Sequence, residues 1–172
     1  MFSDFISGSE IALHYAYIPD CAKLDWYIHK ALQGKDQTLE QTSLQVLGDT
    51  EPENIVIKFN PNVRFIKTKF PISDIFHAHH HRDLSQRTIA MEQAKIALST
   101  INEEHVVMVY RPEYQPEVIT LTQSEAEFML CLNTGKSLSE SLDAVNHHSD
   151  FSFEKWLVNA ITQNLIYQFK EI

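Results

Sequence analysis

Glycine is scarce in this chain, four in 172 residues, and no glycine-rich loop that could wrap a phosphate can be found. Cysteine is scarcer still. Cys21 and Cys131 fall on two different expected helices, which excludes a disulfide framework and a zinc-finger ligand set and leaves both thiols to pack as small hydrophobes. Basic residues are outnumbered, 14 Lys and Arg against 23 Asp and Glu, so the surface is not built to neutralise phosphates and nucleic acid is not the expected ligand. No apolar run reaches membrane-spanning length, and the first fifteen residues hold Asp4 and Glu10 but no Lys or Arg. Neither a membrane anchor nor a signal peptide is expected, and the cytoplasm is the expected compartment. Low-complexity stretches and solenoid repeats are missing too.

What is present is a hydrophobic fraction of 44%, enough for a true core. The most informative segment is Ile18-Pro-Asp-Cys-Ala-Lys-Leu-Asp-Trp-Tyr-Ile-His29. Pro19 fixes a turn, Asp20 is placed to cap a helix, and Cys21, Leu24, Ile28, Ala31 and Leu32 share one apolar face. On the flank, Asp25 and His29 stand four residues apart beside Trp26, so a carboxylate can orient an imidazole next to an aromatic plate. Such pairs are ordinary local contacts on helices, but this flank also suits docking. The polar stretch 33–53, broken by Gly34, Gly48 and Pro52, reads as a connector with little fixed structure.

Ile55, Ile57 and Phe59 alternate with Val56 and Lys58, Asn60-Pro61-Asn62 supplies turn chemistry, and 63–70 reads as a second strand. The expectation is a hairpin, followed by a short helical turn over 72–76 that leads into His77, His79, His80 and His81. A helix over 86–98 carries a modest stripe of Ile89, Met91, Ala94 and Ile96. Strands over 106–110 and 118–121 form a second hairpin. Three capped helices follow: Thr122 with Glu125 and Ser137 with Glu140 are capping boxes, Gly135 stops the first helix, and Asp150 or Ser152 caps the third. The third helix presents Phe153, Trp156, Leu157, Ala160 and Ile161, and 165–169 closes the chain as a strand. The expected class is α+β in three parts. Residues 1–35 are a helical arm, 36–104 a connector, hairpin and helix, and 105–172 a winged-helix-like module.

The phrase Val109-Tyr-Arg-Pro-Glu113, the return strand 118–121 and the capped helices resemble the winged-helix peptide-recognition domains of ribosomal-peptide maturation, including the small carrier domain of pyrroloquinoline quinone biosynthesis. A wider resemblance rests on 18–29, Pro61-Asn-Val-Arg64, Lys69-Phe-Pro71 before Ile75-Phe76, and 138–145. These are similar to the partner-protein family that accompanies multinuclear non-haem iron oxidative enzymes. Long members carry a further N-terminal helical domain once labelled DNA-binding; the short form is more like the partner subunits of methanobactin biosynthesis. There the iron enzyme converts cysteines of a precursor peptide into oxazolone and thioamide groups while the partner presents the peptide. Two positions depart from the pattern: Phe76 and His77 stand where many members have a tryptophan and a polar residue, and Lys23 replaces an arginine, losing the bidentate fork.

The resemblance implies a non-catalytic subunit with no cofactor of its own and iron residing in the partner enzyme; charge and hydropathy make neither nucleic acid nor membrane an expected ligand. Leader recognition by strand addition would use Glu117, Val118, Ile119, Thr120 and Leu121, with Trp156, Asn159, Ala160 and Gln163 on the neighbouring helix. Partner docking would use Asp20, Asp25, Trp26 and His29. The histidines at 77, 79, 80 and 81 are metal-ligand candidates by residue type, yet their spacing suits a solvated loop better than a metal centre. The competing reading is a winged-helix DNA-binding regulator, responsive to metal through those histidines. It is disfavoured because 150–163 offers one lysine against two acids. A self-sufficient metalloenzyme ranks last, since no nucleophile elbow or separated ligand set can be found.

Overall fold

The computed structural model describes residues 8, 12, 14–35, 37–80, 83–100 and 103–172. Helix α1 (Ile18–Gln33) is followed by a short 3-10 turn, α2 (Val46–Asp49) and a second 3-10 turn. Then come β1 (Ile55–Phe59), β2 (Arg64–Thr68), α3 (Ile72–His80), α4 (Leu84–Thr100), β3 (His105–Tyr110) and β4 (Glu117–Thr120). The chain ends with α5 (Gln123–Asn133), α6 (Leu138–Val145), α7 (Phe153–Thr162) and β5 (Ile166–Glu171). The architecture is mixed α+β with two small antiparallel sheets, β1-β5 and β2-β3-β4. Among the described residues no helix is long and apolar enough to cross a membrane.

The three-stranded sheet sets the layering. Alternation along β3 sends Val106, Met108 and Tyr110 into a core shared with α5, α6, α7, β1 and β5, and Val107 and Val109 into a second core with Leu24 and Ala31 of α1. With both faces covered, β3 reads as an unbroken apolar run. Phe128 centres the larger core, its ring within 4.8 Å of Phe151 and 4.7 Å of Trp156. The helix expected as an arm is thus seated on the sheet, through Leu24, Ala31 and the partly buried Cys21 and Ile28; Leu32 is exposed instead of sharing that face.

Two expectations about pairing fail. The Asn-Pro-Asn segment is a corner, not a hairpin turn: β1 pairs with β5, and β2 with β3. Asn60 is buried; its N–H donates to the Leu165 carbonyl, its side-chain amide donates to Gln37 O, and its Oδ1 accepts from Asn62 N–H. The segment 33–53 is no loose connector either. Glu40 N–H donates to Tyr167 O at 2.9 Å and Ser43 Oγ accepts from Phe169 N–H at 3.2 Å, so this segment is docked on β5.

The capping chemistry of the last three helices is as expected. Both boxes are closed reciprocally, at Thr122/Glu125 and Ser137/Glu140, and Ser152 rather than Asp150 caps α7. Gly135, at φ 87°, ends α5 in a Schellman arrangement, Lys136 N–H donating to Cys131 O and Gly135 N–H to Leu132 O. Asp20 does not cap α1. The helix begins two residues earlier with Pro19 in its first turn, and Asp20 accepts a 2.6 Å hydrogen bond from the Thr68 hydroxyl.

Candidate functional site

β4 is an edge strand, and its register decides which groups it offers. Leu121 N–H donates to Val106 O, so 121, 119 and 117 occupy the hydrogen-bonded positions opposite β3. Val118 and Thr120 therefore turn their amides and carbonyls toward the open edge. One of those groups is occupied: His77 Nε2 lies 2.9 Å from Val118 O, so its N–H can donate to that carbonyl. Helix α3 thereby partly covers the edge, a contact that no sequence pattern announces.

The residues expected to hold a peptide divide by burial. Glu117, Thr120 and Asn159 are exposed, Ile119 and Gln163 half-buried. Val118, Leu121, Trp156 and Ala160 are core. Glu117 and Gln163 meet in a depression of about 420 Å³ together with Tyr114 on the β3–β4 turn. Asn159 and Trp156 border a second depression of about 330 Å³, lined also by Asp150 and Lys155. The Trp156 indole N–H is buried and finds no acceptor among the described residues. Tyr110 donates to Glu117 Oε2 at 3.1 Å; burial, then this carboxylate, pushes the phenol up to about 12.

On α1, Asp25, Trp26 and His29 all stand exposed, on the flank away from the buried Leu24 and Ala31. The imidazole of His29 stacks on Trp26, rings 5.7 Å apart and 27° from parallel, and the Lys30 ammonium sits 4.6 Å above the Trp26 ring. The geometry on this flank is aromatic stacking, in place of the expected carboxylate–imidazole pair. Asp20 is tied inward to Thr68 and is half-buried.

The histidine run is helical, not looped, through His80. Besides His77, which reaches the edge strand from α3, His80 stacks on Phe76 at 4.2 Å and its Nδ1 lies 2.9 Å from Phe76 O. His79 borders a mainly apolar cleft of about 270 Å³ between α1 and α3, lined also by Cys21, Leu24, Ile72 and Phe76. His81 lies outside the described residues. Among the described residues, the histidines that converge with a carboxylate are others, His147 and His148 beside Glu127. Glu127 precedes them by a whole helix and two turns, so only the His-His dipeptide offers a signal in the sequence.

Arg111, absent from the expected site residues, is 8% exposed and donates to Leu32 O at 3.1 Å and Gly34 O at 2.8 Å, closing the C-terminal end of α1. Close approach at that end also requires Gly34, where any Cβ would collide with the Asn62 side chain. Comparison of the chain with family models, with curated proteins and with solved structures finds no match.

Proposed function

We propose that this chain is a non-catalytic partner subunit that binds a ribosomally made precursor peptide and a multinuclear non-haem iron oxidative enzyme, presenting peptide cysteines for methanobactin-type modification. The observation that carries the peptide half is the edge of β4, where Val118 and Thr120 direct backbone groups outward beside the two depressions flanking α7. An extended peptide gains affinity from those backbone bonds and specificity from pockets at alternate side chains. Glu117, Thr120, Asn159 and Gln163 are the side chains placed to read it, while Val118, Leu121, Trp156 and Ala160 hold the frame.

The enzyme half rests on the family resemblance of 18–29 and on the division of α1 into a buried face and an Asp25–Trp26–His29 flank. A stacked Trp and His make a rigid apolar plate with a polar rim, the composition favoured at interface anchors. The segment 150–163, with one lysine against two acids, gives no support to a DNA-binding regulator.

Titration of the isotopically labelled chain with the leader segment of a precursor encoded beside it tests the peptide half. Amide shifts should concentrate at 117–122 and at Asn159 and Gln163; shifts confined to α1 would refute this placement. Trp26→Ala combined with His29→Ala should reduce co-purification with the co-expressed iron enzyme while leaving peptide binding intact.

A further inference from the structure

The α6–α7 connection brings a ligand set against α5 that the proposed peptide role does not use. Glu127 Oε2 lies 3.1 Å from His148 Nε2 and 3.9 Å from His147 Nε2, and one donor atom from each residue falls within 4.8 Å of the others. The two imidazoles lie against each other, ring centres 4.0 Å apart. We propose that Glu127, His147 and His148 bind a divalent transition-metal ion, zinc foremost, as a clip between α5 and the α6–α7 connection.

Three features argue for a metal over a plain His–Glu contact. The donor types are two nitrogens and one carboxylate oxygen, a set that suits zinc and leaves one coordination position open. At metal–ligand bonds of about 2.1 Å, tetrahedral geometry places donor atoms roughly 3.4 Å apart; the two Glu127 separations bracket that value, so closure requires only small side-chain rotations. The third is the outer partner. Asp150 Oδ1 stands 3.9 Å from His148 Nδ1, and Asp150 Oδ2 accepts a 3.0 Å hydrogen bond from Ser124 Oγ. With Nε2 on the ion, the Nδ1–H faces an already anchored carboxylate, the usual means of fixing the tautomer and orientation of a metal-bound histidine.

The site is accessible. The side chains of His147 and Glu127 are 60% and 41% exposed, so an ion can enter, whereas His148 at 15% is held by its surroundings. The loop also borders, through Asp150, the depression of about 330 Å³ next to Trp156, so the ion would stiffen one wall of it.

Calorimetric titration of zinc into the chelator-stripped full chain tests the proposal, with His77, His79, His80 and His81 replaced by alanine to remove the other imidazole cluster. The expected result is one equivalent bound and a raised thermal midpoint. Losing only an outer partner costs roughly 10–100-fold in affinity, so His147→Ala and Glu127→Gln should each weaken binding by about that factor or more. Both side chains are well exposed, and circular dichroism at low metal confirms that the variants fold. Absence of zinc binding in the folded parent, or stoichiometric binding unchanged in the two variants, overturns the assignment.

Discussion

Single residues here divide between those that tie the fold and those left open for contact, and Cys21 and Arg111 illustrate the first group. Burial, reinforced by the nearby Asp25 and Asp20 carboxylates, pushes the Cys21 thiol up to about 11. At pH 8 only roughly one thiol in a thousand is then ionised, and the thiolate is the reacting species. Disulfide-exchange labelling of the native chain should modify Cys131 first and reach Cys21 chiefly on unfolding; equal rates for the two would contradict the packing of α1. Arg111 is legible in the sequence only as part of the Val109–Glu113 phrase. Its guanidinium serves two carbonyls at the end of α1, 77 and 79 residues away. Arg111→Ala should cost about 2–3 kcal/mol in chemical denaturation. Arg111→Lys should recover little of it, because a point charge cannot reach two carbonyls as the fork does.

At the level of elements, what sequence reveals depends on how local the determining interaction is. The boxes at Thr122/Glu125 and Ser137/Glu140, the Gly135 stop and the β3–β4 hairpin each depend on residues a few positions apart, and each is legible. The β1–β5 pairing is not, since it joins Ile55 to Glu171, and the turn chemistry of Asn60-Pro61-Asn62 suits a corner as well as a hairpin. The histidine helix escapes a sequence reading because His77 is held by Val118 O, 41 residues away, and no local pattern announces that contact. The second box also carries a pH dependence. Hydrogen bonds from the Ser137 backbone and then its side chain hold the exposed Glu140 carboxyl below its ordinary range. A depressed folded value means the stabilisation is present above the unfolded pKa and lost as pH falls through the folded one. Glu140→Gln keeps a side-chain acceptor without the titration, so thermal midpoints of the two proteins should differ at neutral pH and converge in acid. A constant difference across that range would remove the carboxylate from the cap.

Across the whole molecule, one sheet separates two cores, and β4 is one of its two edge strands. β3 lies between β2 and β4, so a peptide that adds to β4 extends the sheet between the α1 and α7 layers without disturbing either core. Exposed edges invite unwanted pairing, and proteins commonly cover them; here α3 supplies a partial cover through His77 on Val118 O. A strand arriving at that edge must take the same carbonyl, so the imidazole and the peptide compete for it. Removing the competitor should therefore help binding, whereas removing a histidine that itself contacted the peptide would hurt it. One such hydrogen bond is worth about 1 kcal/mol net, which corresponds to roughly fivefold in affinity. His77→Ala should tighten leader-peptide binding by about that factor in fluorescence anisotropy, and His79→Ala, on the cleft side of α3, should leave it unchanged. Weaker binding by His77→Ala would mean that the peptide leaves the β4 edge alone and uses the histidine side of α3 instead.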